Sequence, residues 1–394
     1  MADYIPFVNN DADYQYARAF YSDATTVRLL LPALRPQPQD ERYGKPQAWV
    51  DAGLDGYHCL LTGRKTFEAW NQYAAQFEEN GILADPTFVR RPSYERLRTF
   101  VFSVLDHCMT FQPVWLTVPQ LPMIEDTTRN RVNRELAKAT GEWRTKNNFG
   151  GRLILPLVFT HQNQLKGRTQ WRNKIVNAER CYSNAGATAF WIVDSDLDDQ
   201  KCRAAFNNRF RALVAFHEDL KASQPKAAVI SGPYWGMNIV LWARGLCDHP
   251  AVSMGTGYKY MITGAFAKKA KKFHVALPPL RRWAIASPEL KIWLDDVIRR
   301  LSPDDSTRRE FERLRHDVAS RLRNKNAAKE QVARSYHEWF TRIQSISPVG
   351  RTLALYQDLS SAYVLGKQLP KLPKSEAPGR EAGKVAEQLM LHCL

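Results

Sequence analysis

Four aspartates fall within one hexapeptide, Asp194-Ser195-Asp196-Leu197-Asp198-Asp199, directly behind the apolar run Thr188–Val193. A carboxylate at the end of a buried strand can serve as a nucleophile or as a general acid/base, and Asp194 and Asp196 are the candidates for that work. The same run could hold a divalent cation at Asp194 and Asp196 through hard oxygen ligands. It is not an EF-hand loop, because Asp199 stands where that loop needs its turn glycine and Ala205 where it needs its bidentate glutamate. The plainer reading is that Asp196 to Asp199 cap and charge the start of the next helix. His161, followed by Gln162, Asn163 and Gln164, is the other catalytic candidate. An imidazole there could shuttle a proton or bond a base or phosphate; otherwise it is a hydrogen-bonded structural histidine.

Further polar and aromatic clusters end other apolar runs. They are Pro119-Gln120-Leu121-Pro122, Ser231-Gly232-Pro233-Tyr234-Trp235-Gly236 and Gly255-Thr256-Gly257-Tyr258-Lys259. From them, and from the histidine cluster, Gln120, Gln162, Tyr234, Trp235, Gly255, Gly257, Tyr258 and Lys259 are candidate substrate contacts. The glycines would let backbone N–H groups approach a phosphate, and the rings would let a base stack. The segment from His249 to Pro288 adds Lys268, Lys269, Lys271, Lys272, Arg281 and Arg282 to Lys259 and contains no acid. Cations for phosphates interleaved with rings for bases is the composition of a nucleic-acid surface; a solvated basic loop is the bland alternative.

The elements that must position these groups are legible as short apolar runs. They are Tyr4–Val8, Val27–Leu31, Tyr57–Leu61, Val114–Val118, Leu153–Phe159, Thr188–Val193, Ala227–Ile230 and Ala251–Met254, with Phe273–Leu277 in excess. Each reads as a buried parallel strand. Helical spacing fills the gaps at Asp11–Tyr21, Lys65–Glu79, Tyr94–Cys108, Arg129–Lys146, Arg168–Asn184, Lys201–Ala222 and Met237–Leu246. Strand and helix alternate, which predicts an α/β fold: a (β/α)8 TIM-like barrel over residues 1–286, with an open doubly wound sheet as the competitor. Residues 287–366 read as a basic helical appendage whose first helix is capped at Ser302 and Pro303. Residues 367–394 read as a mobile tail with a short terminal helix.

Composition bounds the function. The 394 residues carry 56 Lys and Arg against 40 Asp and Glu, a formal net charge of +16, which attracts polyanions. There is no long apolar run and no basic, apolar leader, so no membrane association is expected. Six cysteines without a CxxC pair suit reduced thiols and a cytoplasmic location. No HExxH, GxSxG or GxxxxGK[ST] motif occurs, which argues against zinc-protease, serine-hydrolase and P-loop chemistry and against a structural zinc.

The layout resembles the tRNA-guanine transglycosylase superfamily in its predicted barrel, basicity and strand-end aspartate, over roughly residues 1–286. The resemblance implies exchange or removal of a base in DNA or RNA, with Asp194 in the nucleophile's place. It does not extend to that family's Ser-Gly-Gly-x-Gln segment or its zinc-binding cysteines, which this chain lacks. The reading is thus a nucleic-acid-binding protein acting as an enzyme on DNA or RNA. The alternative is a non-catalytic nucleic-acid-binding subunit of a processing or antiviral defence complex, with the C-terminal helices docking a protein partner.

Overall fold

The computed structural model describes residues 4–8, 26–30, 47–51, 93–123, 127–159, 168–198, 200, 206–253, 274–320, 324–373 and 380–393. The fold is mixed α/β around a curled parallel sheet. Its strands are β1 (Ile5–Val8), β2 (Thr26–Leu30), β3 (Gln47–Asp51), β4 (Trp115–Thr117), β5 (Arg152–Phe159), β6 (Ala189–Asp194), β7 (Ala228–Ser231) and β8 (His249–Ser253). They pair in chain order, each parallel to the next. The curl brings β1 beside β8, with Ile5 opposite Ala251 and Phe7 opposite Ser253. Five helices on the sheet's outer side connect successive strands from β3 to β8: α1 (Tyr94–Met109), α2 (Thr127–Lys146), α3 (Arg168–Ala185), α4 (Phe206–Ser223) and α5 (Met237–Ala243).

Seven of the expected strands lie within a few residues of where the apolar runs place them, but the third differs. β3 is Gln47–Asp51, the sequence QAWVD, whereas Tyr57–Leu61 lies outside the described residues, as do the helices expected at Asp11–Tyr21 and Lys65–Glu79. The polar ends of QAWVD hide a strand whose single large apolar anchor is Trp49. That indole packs inside the curl against Phe7 and Trp191 at 5.4 and 5.5 Å, edge to face. Trp49 Nε1 donates to Thr117 Oγ1 (2.9 Å) and Trp191 Nε1 to the Gly232 carbonyl (2.7 Å). Buried indoles need such acceptors. Nearer the strand starts, Trp115 meets His249 at 5.8 Å. Among the described residues, the inside of the sheet is therefore a packed aromatic core.

Phe273–Leu277, the surplus run, becomes β9 (His274–Leu277) and pairs antiparallel with β10 (Arg282–Ile285) in a separate ribbon. Side chains cap both of its open edges. Gln331 accepts from Ala276 N (2.7 Å) and donates to Ala276 O (2.9 Å), and Gln200 accepts from Trp283 N (2.6 Å). Amide side chains satisfy edge groups that would otherwise recruit another strand.

The C-terminal region is α6 (Pro288–Arg300), α7 (Ser306–Ser320), α8 (Lys325–Gln344), α9 (Pro348–Gln368) and α10 (Lys384–Met390). The expected start at Ser302 moves to Ser306, where Asp305 accepts from Thr307 N (2.8 Å). These helices are not a detached appendage. Tyr336, Trp339 and Phe340 of α8 and Leu355 and Leu359 of α9 belong to the same core cluster as the sheet, while α6 and α7 build a second core beneath the ribbon. The described part of the expected mobile tail is likewise packed: Val385, Ala386 and Leu389 are fully buried. Burial of Val385 and Leu389, about 1.5–3 kcal/mol each, outweighs the freedom that a Pro- and Lys-rich stretch suggests. Among the described residues no helix is long and apolar enough to cross a membrane.

Candidate functional site at the rim of the sheet

Side chains alternate along a strand, so one known facing fixes the rest. In β6, Trp191 points inside, against Phe7 and Trp49. Phe190 points outside and stacks on Tyr182 of α3 at 4.6 Å. Asp194 shares the parity of Phe190 and so faces the helices rather than the inside of the curl. There Arg209, in the first turn of α4, grips it with two nitrogens: Nε donates to Oδ2 (2.5 Å) and Nη2 to Oδ1. The Asp196 backbone N–H also donates to Oδ1 (3.0 Å).

Arg209 Nη1 reaches Asp196 as well (3.2 Å). The two aspartates expected to attack a substrate or hold a cation are thus joined by one guanidinium, and the Asp194 side chain is 0% exposed. Among the described residues, no group of three or more His, Cys, Asp or Glu could hold a metal ion. Burial pushes the Asp194 carboxyl up from its ordinary value while Arg209 pulls it down. For Arg209, burial opposes the charge, but its hydrogen bonds to Asp194 and the charges of Asp194 and Asp196 outweigh it and raise its pKa.

Tyr234 and Trp235 follow β7. The Tyr234 hydroxyl accepts from Asp194 N (2.7 Å), which ties the β7 loop to the end of β6. Trp235 is buried among Trp283, Tyr336 and Trp339, with ring centroids 5.2–6.3 Å away. Both side chains are occupied, so in this conformation neither offers a face to a stacked base. A small open pocket nevertheless lies here, lined by Leu197, Asp198, Pro233, Tyr234, Trp235, Ser253 and Trp283. It joins the loops behind β6 and β7, the end of β8 and the ribbon. Asp198 makes a local turn at its edge, accepting from Gln200 N (3.1 Å), six residues before α4 begins.

The structure commits three other candidates to partners within the protein. Gln120 is buried, and its Nε2 donates to the Asn133 carbonyl (2.9 Å), joining the end of β4 to α2. Arg282 is buried and donates to the carbonyls of Glu381 and Ala382 (2.8 and 3.3 Å). Arg281 forms a two-pronged pair with Asp358 of α9 (2.7 and 2.8 Å). These two cations hold the ribbon to the C-terminal helices and are not available to phosphate. His161, Gln162, Gly255, Gly257, Tyr258, Lys259, Lys268, Lys269, Lys271 and Lys272 lie outside the described residues.

Several important roles escaped the sequence reading. Arg209 has no local signature, since its role depends on a carboxylate 15 residues earlier. Trp283 and Gln200 matter only because the ribbon folds back over the rim. Ser231 and His217 form a bonded pair that resembles a nucleophile and its base. Nδ1 faces the Leu213 carbonyl (2.8 Å), which can only accept, so Nε2 accepts from the Ser231 hydroxyl (3.1 Å). Both residues are wholly buried between β7 and α4, and burial lowers the His217 pKa to about 4. The pair is a neutral strut without access to a substrate.

No protein-family model matches this chain, and no curated protein matches it either.

Proposed function

We propose that the chain is a (β/α)8-type barrel protein that binds nucleic acid at the rim formed by the C-terminal ends of its strands. The ladder order, with β1 beside β8 and helices between successive strands from β3 to β8, supports the barrel reading. One observation carries the binding reading. The segment from residue 254 to residue 273 holds Lys259, Lys268, Lys269, Lys271 and Lys272 and no acid. It leaves β8 at Ser253, a pocket residue, and returns at His274, whose ring lies 5.8 Å from that of Trp283, another pocket residue. The densest positive charge in the sequence is therefore tethered at both ends to the rim.

The binding reading is preferred to base exchange because the candidate nucleophile is committed to Arg209 and turned toward the helices. The test is binding of labelled single-stranded DNA, duplex DNA and structured RNA across a salt series. Affinity should fall steeply with salt, by the slope that several released counterions give. Reversing Lys268, Lys269, Lys271 and Lys272 to Glu should weaken binding on the order of 100-fold and flatten that slope. Weak, salt-insensitive binding to all three polymers would overturn the reading. Base exchange that Asp194→Asn abolishes while binding persists would replace it with the enzyme.

A further inference from the structure

Residues opposite one another in a parallel ladder share a face of the sheet, and the facing alternates along each strand. Phe7, Trp49 and Trp191 meet inside the curl and set its inner face. Phe7 stands opposite Arg28 and Ser253, and Arg28 opposite Trp49. Trp49 stands opposite Trp115, Thr117 opposite Ile154, Pro156 opposite Trp191 and Trp191 opposite Ile230. Ile230 stands opposite His249, four residues before Ser253, so the parity is consistent around the whole sheet. The last inner-face position of each strand follows. It is apolar on β1, β2, β5, β6 and β7, and a hydroxyl residue on β4 (Thr117) and β8 (Ser253). On β3 it is Asp51, two residues past Trp49 and opposite Leu30, the one ionisable residue among these eight positions. Asp194, by contrast, ends β6 on the outer face, held by Arg209.

We propose that Asp51 is the carboxylate of the sheet's mouth and accepts the N–H donors of an unpaired base, so that single-stranded nucleic acid is the preferred partner. This rests on the barrel and binding readings above and adds to them what enters the mouth. A carboxylate accepts hydrogen bonds and repels phosphate, and the other strand-end positions on this face carry no cation to offset it. The sugar–phosphate backbone therefore belongs on the lysine-rich segment that leaves β8 at Ser253, and the group that can turn inward from it is a base. Each base has N–H donors on its pairing edge. In a duplex they are engaged by the opposite strand, whereas in a single strand they are free for a protein acceptor. Arg28 shares the inner face and stands beside Trp49, one diagonal step from Asp51. A structural ion pair between Arg28 and Asp51 is the alternative.

The test compares the full chain and its Asp51→Asn variant on labelled single-stranded and duplex DNA of one sequence, across a salt series. The sign of the effect is diagnostic. Neutralising a carboxylate that merely lies near a polyanion tightens binding, and does so for both polymers. Loss of a base contact acts the other way. Asp51→Asn should weaken the single strand about tenfold, leave the duplex unchanged or slightly tighter, and leave both salt slopes as they are, because no phosphate contact is lost. Its melting temperature should match that of the wild type. Arg28→Gln is the second variant, and it should leave the preference for the single strand intact. A structural pair would instead give both variants the same lowered melting temperature and the same loss on both polymers, which would overturn the inference. Single-strand binding that Asp51→Asn leaves unchanged or tightens would overturn it too, while salt-sensitive binding of the wild type kept the nucleic-acid reading standing. Absence of salt-sensitive binding to either polymer would overturn both.

Discussion

Asp194 shows how a residue type can be read correctly and its facing missed. Its position at the end of β6 was legible from the run Thr188–Val193 and the polar cluster behind it. The direction of its side chain was not, because AFWIV is apolar on both faces and offers no alternation to count. Only Trp191, seen inside the curl, fixes the parity. The consequence is energetic. A buried carboxylate gripped by a guanidinium is costly to orphan, so Arg209→Ala should destabilise the protein by about 3–5 kcal/mol in urea unfolding. Adding Asp194→Asn should recover part of that loss, because the stranded charge is removed along with its partner. A change in Arg209→Ala of less than about 0.5 kcal/mol would show that Asp194 does not depend on the guanidinium, and its carboxylate would again be a candidate for chemistry.

At the scale of elements, the fold was most readable where strands are long and continuously apolar, as in Leu153–Phe159, and least where a strand rests on one indole, as in β3. The ribbon was half legible: β9 announced itself as a surplus run, but β10 begins with Arg282-Trp283 after Pro278-Pro279 and reads as loop. Its cations looked like a phosphate surface because sequence cannot show that Arg281 and Arg282 have Asp358 and backbone carbonyls as partners. The C-terminal helix depends on a contact that composition hides. Gly366 of α9 and Gly383, just before α10, approach so closely that a Cβ on Gly366 would lie 2.2 Å from Gly383 N. Backbone cannot yield as a side-chain tip can, so Gly366→Ala should lever α10 off its seat. Expected are faster proteolysis within residues 380–393 and a loss of about 1–3 kcal/mol, with far-UV helicity nearly unchanged. Unaltered protease resistance would mean that α10 is held by Val385 and Leu389 alone.

At the scale of the whole molecule, the charge of +16 acts on the protein itself before it acts on any partner. Like charges on one surface repel and favour the expanded chain, and this cost is greatest at low ionic strength, where the Debye length is about 30 Å at 0.01 M against about 8 Å at 0.15 M. The protein alone should therefore melt at a higher temperature as salt is raised over that range. A bound polynucleotide supplies the missing anions directly and stabilises the native state, by about 2.7 kcal/mol when present at 100 times its dissociation constant. That gain must shrink as salt displaces the contacts. The melting temperature should accordingly rise with salt for the free protein and fall, or stay level, in the presence of nucleic acid, the two curves meeting at high salt. Glu at positions 268, 269, 271 and 272 should pull both curves together at low salt, since it lowers the net charge and removes the proposed contacts in one step. Coincident curves for the wild type at 0.01 M would mean that its charge serves solubility and self-repulsion only. The rim pocket would then be left to small molecules.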